Sequence, residues 1–188
     1  MPRPIRLYFD YVDPLAWPAE RLAREVEGRG LSVERAPLEL RPPPAPPLDP
    51  ADPALVARRE EAAARNPGDA GPEPARVPWT RKAHELGMLA REKGAFPRVH
   101  TALLTAHLSR ALDIGRVDVL VQIATEEGLD ATESKAVLDV DRHTEAVERI
   151  REHAFELGVR GVPTFVVGTR IFEGLPDPDA LERAATEE

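Results

Sequence analysis

Asp13 stands where the first expected helix begins, in the stretch YFDYVDPLAWPAERLAREV that starts at Tyr8. A carboxylate where an apolar run gives way to helical spacing could exchange a proton, contact a ligand or cap a helix. The chain contains no cysteine. Thiol nucleophiles, thiolate metal ligands, disulfides and dithiol exchange are therefore excluded together, because each requires the sulfur itself. His100 and His107 stand i, i+7 and could share a helix face, but His84, His143 and His153 form no H-E-x-x-H pattern. A metal centre needs three or four converging ligands, so none is expected. There is no G-x-G-x-x-G, phosphate-cradling loop or G-x-S-x-G elbow, and nucleotide-binding and serine-hydrolase readings have no motif to stand on.

The elements that must position Asp13 follow from hydrophobic spacing. Residues 5–12, IRLYFDYV, place Ile5, Leu7, Phe9 and Tyr11 on one side and predict a buried strand. DPLAWPAERLAREVEGRG then changes to helical spacing, with Trp17, Leu22 and Val26 inward and Gly28 or Gly30 at the end. Pro18 falls within the first turn or so, where its missing N–H costs little. Residues 31–40 alternate as a second strand. Residues 41–53 carry prolines at 42, 43, 44, 46, 47, 50 and 53, which remove donors and favour extended backbone. They predict a connector, with a ligand for a proline-binding module as the sharper alternative.

From 52 to 158 the spacing is mostly helical, with an expected break at Asn66-Pro67-Gly68 and a Pro- and Gly-rich loop reaching Pro78. Stripes at Leu104, Leu108, Ala111 and Leu112, at Val117, Leu120, Val121 and Ala124, and at Val147, Ile150, Ala154 and Leu157 predict a packed helical subdomain. The charge runs ARREEAAAR and ERIREH are expected to be solvated helix faces. GVPTFVVG and TRIFEG predict a closing hairpin, and DPDALERAA a last helix. The order is β-α-β, a long all-α interruption, then β-β-α.

With 188 residues, 42% of them hydrophobic, the chain can bury a real core. A net charge of -8 argues against nucleic acid or anionic membrane as partner, since phosphate binding relies on clustered Lys and Arg. No run approaches the roughly 18 apolar residues of a membrane span, and MPRPIRLYFDYV lacks a signal peptide's apolar core. A cytoplasmic location is expected. Scarce amides, Arg-dominated basic charge and 20 prolines fit either heat adaptation or GC-rich coding.

That element order, together with two segments, resembles the thioredoxin fold of the DsbA-like superfamily. YFDYVDPLAW resembles its first strand and active-site turn, where redox members place C-P-x-C. The FrnE-like, 2-hydroxychromene-2-carboxylate isomerase and kappa-class glutathione transferase branches are more similar. In the latter two the turn reads like S-P-Y-x-W, which sets Asp13 at the Ser or Cys position, Pro14 at the Pro and Trp17 at the aromatic. Leu15 stands where the tyrosine would be. GVRGVPTFVVG resembles the second signature, which implies a cis Val162-Pro163 bond facing the turn. The resemblance implies an α/β thioredoxin-like domain formed by 1–48 and 159–188, with a helical insertion over 49–158.

The candidate site is Asp13, Pro14, Trp17, Val162 and Pro163. With Asp13 and Ala16 at the two cysteine positions, an oxidoreductase label would be inherited without its chemistry. Helix-terminus stabilisation of a thiolate is replaced by a carboxylate that repels one, by about 1 to 4 kcal/mol at about 4 Å. Glutathione is thereby disfavoured as cofactor. Asp13 is read either as a cap, like the Asp-Pro pairs at 49–50, 52–53 and 177–178, or as a ligand-contacting or catalytic group. The helix terminus should lower its pKa and burial should raise it. Trp17 is core or ligand-flanking, and Val162-Pro163 is structural or groove-forming. The partner is a small molecule, held in the manner of an isomerase or glutathione transferase. The alternative is an extended peptide paired with the Val162 backbone in a non-enzymatic member.

Overall fold

The computed structural model describes residues 2–66 and 71–187. The expected break at Pro67-Gly68 lies outside them. The order is β1 (Ile5–Phe9), α1 (Ala16–Gly28), β2 (Val33–Pro37), α2 (Pro53–Arg65), α3 (Arg81–Glu92), α4 (Phe96–Leu104), α5 (Val117–Glu126), α6 (Ala131–Asp139), α7 (Thr144–Glu156), β3 (Thr164–Val167), β4 (Arg170–Glu173) and α8 (Pro178–Thr186). The sheet runs β2-β1-β3-β4. β1 pairs parallel with β2, Ile5 opposite Val33, and antiparallel with β3, Ile5 opposite Val167. β3 pairs antiparallel with β4 as the hairpin expected. This is the α/β arrangement that the resemblance implies.

β1 is central and covered on both faces, which explains its nearly continuous apolar run. Ile5, Leu7 and Phe9 join the larger core with Val26 of α1 and Leu181 of α8, while Tyr8 joins a smaller one with Leu38, Ala154 of α7 and Val162. Leu86, Leu103 and Leu120 from the inserted helices belong to the larger core. The insertion therefore shares one hydrophobic core with the sheet.

Several expectations shift. β1 starts at Ile5 as predicted but ends at Phe9, and β2 is shorter at both ends than the expected 31–40, because apolar residues beyond them, such as Tyr11 and Leu38, are buried in turns and loops. The stripe through Leu112 fails. α4 passes into a π-turn at Thr105–Ser109, Ala111 takes a positive φ of 54°, and Leu112 is left exposed. Leu157 is exposed as well, since α7 ends at Glu156. α6, absent from the spacing analysis, is capped by Asp130, whose side chain accepts from the Glu133 N–H at 2.7 Å. No helix among the described residues is long and apolar enough to cross a membrane.

Candidate functional site

Asp13 ends the turn between β1 and α1. Its Oδ1 accepts the Leu15 N–H at 2.7 Å, and its own carbonyl accepts the Ala16 N–H at 2.9 Å. The helix proper starts at Ala16 with no side-chain cap, so Asp13 closes the turn ahead of the helix instead of capping the helix itself. The Asp-Pro comparison separates accordingly. Asp52 and Asp177 cap α2 and α8, whereas the Asp49 carboxylate holds only a turn, at the Ala51 N–H.

The second carboxylate oxygen has a partner that the sequence reading missed. Asp13 Oδ2 accepts from Arg58 Nη2 at 2.6 Å, and the same nitrogen donates to the Val162 carbonyl at 2.5 Å. Arg58 lies in the run ARREEAAAR, expected to be solvated. It turns inward because a buried carboxylate and a backbone carbonyl at one point attract a cation. Burial pushes the Asp13 pKa up to about 6, against the opposing pull of Arg58 and the Leu15 N–H; Asp10 adds a smaller push upward. The competition between helix terminus and burial is thus won by burial.

The Val162-Pro163 bond is cis. Asp13 and Val162 share the wall of a cleft of about 240 Å³, with Leu40, Leu55, Val77 and Trp79 among its apolar walls and Asp10, Arg58 and Thr80 among its polar ones. Pro14 and Trp17 face elsewhere, into a separate pocket of about 90 Å³ with His107 and Leu108. Val12 contributes to both. Of the five candidate residues, the structure brings Asp13 and Val162 together. Trp17 is half-buried and Pro163 lines neither cleft.

Asp10 is the other buried acid here. Its Oδ2 accepts the Leu40 N–H at 3.1 Å, and its Oδ1 lies 3.3 Å from His84 Nε2. A charged residue ending a central strand was the available signal. Nothing in the local pattern marked Arg58 or Thr80, which reach the cleft only through the insertion's path.

Two further buried histidines, His100 and His107, are engaged by neighbouring groups. His100 Nδ1 lies 3.2 Å from the Tyr11 hydroxyl and its Nε2 lies 3.4 Å from Glu20, while His107 Nδ1 lies 3.1 Å from the Leu112 carbonyl. Burial lowers the pKa of both. Glu20 is buried too, yet hydrogen bonds from His100 and Arg35 outweigh burial and hold it at about 2. Among the described residues no group of three or more His, Asp or Glu could hold a metal.

Comparisons with known proteins bear on the fold and the family. YwbO of Bacillus subtilis (strain 168), an uncharacterized protein, is 29% identical over 98% of this chain and 96% of its own. A probable DsbA oxidoreductase of Streptomyces coelicolor superposes with a TM-score of 0.76 at 21% identity, covering 98% of this chain and 89% of that one. A 2-hydroxychromene-2-carboxylate isomerase superposes with a TM-score of 0.74 at 18% identity, covering 96% and 93%. At these identities the two structures share the fold. A family model matches residues 4–185, and the chain belongs to the family of DSBA-like thioredoxin domains.

Proposed function

We propose that the protein binds a small, largely apolar molecule in the cleft beside Asp13, with Asp13 as the proton-exchanging group, as a divergent, thiol-independent isomerase- or transferase-like protein. One observation carries the reading: a buried carboxyl, with both protonation states accessible near pH 6, stands in the wall of a mostly apolar cleft. Apolar walls with a few converging polar groups and a perturbed acid suit a small ligand. A general acid or base works best when its pKa lies near the working pH.

The peptide-binding alternative is less well supported. An extended ligand would pair with the Val162 backbone, and that carbonyl already accepts from Arg58. Dithiol exchange has no cysteine to run on.

The test is a ¹H–¹⁵N NMR titration with indole, 4-methylphenol and an extended alanine-valine pentapeptide. The expected result is that the aromatic probes shift the Asp13, Arg58 and Val162 resonances and the peptide does not. Peptide-induced shifts at Val162 without any aromatic response would replace this reading with the peptide-binding one.

A further inference from the structure

One residue in the wall of the cleft carries a buried hydroxyl with no partner among the described residues. Thr80 is the N-cap residue of α3, a position where a threonine hydroxyl ordinarily accepts an N–H of the first turn. Here it makes no cap bond, and the neighbouring Arg81 N–H donates to Glu39 Oε1 at 3.2 Å. Thr80 is 1% exposed and its hydroxyl has no partner among the described residues. A buried polar group left unpaired costs about 1–3 kcal/mol, and this one sits in the wall of the cleft that holds Asp13.

Charge bookkeeping narrows what could complete it. Asp13 is paired with Arg58, Glu39 with Arg81, and Asp10 is engaged by Leu40 and His84. Asp52 is committed to capping α2, and Arg41 stands exposed at the rim. A charged headgroup reaching the inner wall would have to break one of these arrangements, whereas an uncharged oxygen would break none.

Size adds a second constraint. At about 240 Å³ the cleft is smaller than the roughly 300–1,000 Å³ typical of ligand sites. It adjoins an open groove of about 800 Å³ with which it shares Pro47, Pro78 and Trp79. Trp79 is 41% exposed, yet its indole is pinned by a 2.9 Å bond from Nε1 to the Ala45 carbonyl. Gly115 lets Pro78 close in beside it, since a Cβ there would come within 2.8 Å of the proline ring. A fixed, exposed aromatic face between two cavities is a platform for a planar group.

Resting on the small-molecule reading of this cleft, we propose that the ligand is an uncharged aromatic or alicyclic ketone or alcohol. Its oxygen seats on Thr80 Oγ1 at the inner wall, and its far end extends across Trp79 into the outer groove.

The experiment titrates the full chain by NMR with acetophenone, isopropylbenzene, benzoate and 4-acetylbiphenyl. Acetophenone should bind roughly three- to tenfold more tightly than isopropylbenzene, the value of one hydrogen bond, and more tightly than benzoate. Thr80→Val should erase that preference, leave isopropylbenzene unchanged and keep or raise the melting temperature, since no bond is lost. Trp79→Leu should weaken 4-acetylbiphenyl more than acetophenone. Equal binding of ketone and hydrocarbon overturns the oxygen assignment while leaving the cleft reading intact. Benzoate binding as tightly as the ketone overturns the uncharged class. Loss of stability in Thr80→Val with affinity unchanged makes Thr80 purely structural. No probe moving the cleft resonances overturns this proposal and the small-molecule reading together.

Discussion

Arg58 and Asp13 stand 45 residues apart in the chain and 2.6 Å apart in the fold. The pair joins the first inserted helix to the turn that precedes α1, and through the Val162 carbonyl it reaches the cis-proline loop as well. Three segments of the chain therefore meet on one guanidinium.

Replacing Arg58 by Gln should leave the Asp13 carboxylate buried without its counter-charge. Breaking a fully buried pair costs about 3–5 kcal/mol; with the Arg58 side chain 35% exposed, about 1–3 kcal/mol is expected at pH 7. Urea unfolding at two pH values checks it. The loss should shrink at pH 5, where Asp13 takes up a proton; an equal loss at both would show that the pair's charge is not what matters.

Asp13→Asn isolates the titration of that carboxyl. Its folded pKa, about 6, lies above the unfolded value near 3.9, so the folded state binds the proton more tightly. The penalty of ionising Asp13 is absent below about pH 4, grows as pH rises toward 6 and is complete above it, on the order of 3 kcal/mol. The two neutralised histidines, His100 and His107, work in the opposite sense, losing stability as pH falls below about 6.5. The comparison of natural protein with Asp13→Asn cancels them. Stability of the variant relative to the natural protein should therefore rise from pH 4 to pH 6 in thermal melts, and a flat difference would place Asp13 at an ordinary pKa.

Reduced glutathione should not bind the natural protein in calorimetry. Asp13→Ser should bind it, because the change supplies a hydroxyl donor and frees the Arg58 guanidinium, both favourable to a thiolate. Binding by the natural protein would show that the carboxylate, offset by Arg58, does not repel the sulfur enough to matter.

Glu85 of α3 is fully buried and accepts the His143 N–H and the Thr144 hydroxyl, each at 3.1 Å, at the start of α7. Glu85→Ala should cost about 1–3 kcal/mol through loss of that cap. Hydrogen exchange should speed up first in α7, whose residues close the sheet face opposite α1.

Local physics carried most of the architecture into the sequence. Nearly continuous apolar runs mark β1 and β3, which are buried on both faces, and helical spacing marks α1, which buries one stripe. The absence of cysteine settles what chemistry is excluded, since that follows from residue type alone. Asp-Pro at 52–53 and 177–178 announces two helix starts because capping is a contact between near neighbours.

What the tertiary structure decided is who meets Asp13. Trp17, four residues away, faces a different pocket, since Asp13 lies in the turn ahead of α1 and so does not share the helix face that an i, i+4 pair would. Arg58 and Thr80 reach the cleft through the path of the insertion, whose charge runs look like solvated faces until a buried carboxylate is placed opposite one of them. The pKa of Asp13 was likewise undecidable in the chain. Helix terminus and burial push it in opposite directions, and only three-dimensional packing fixes the depth of burial that prevails.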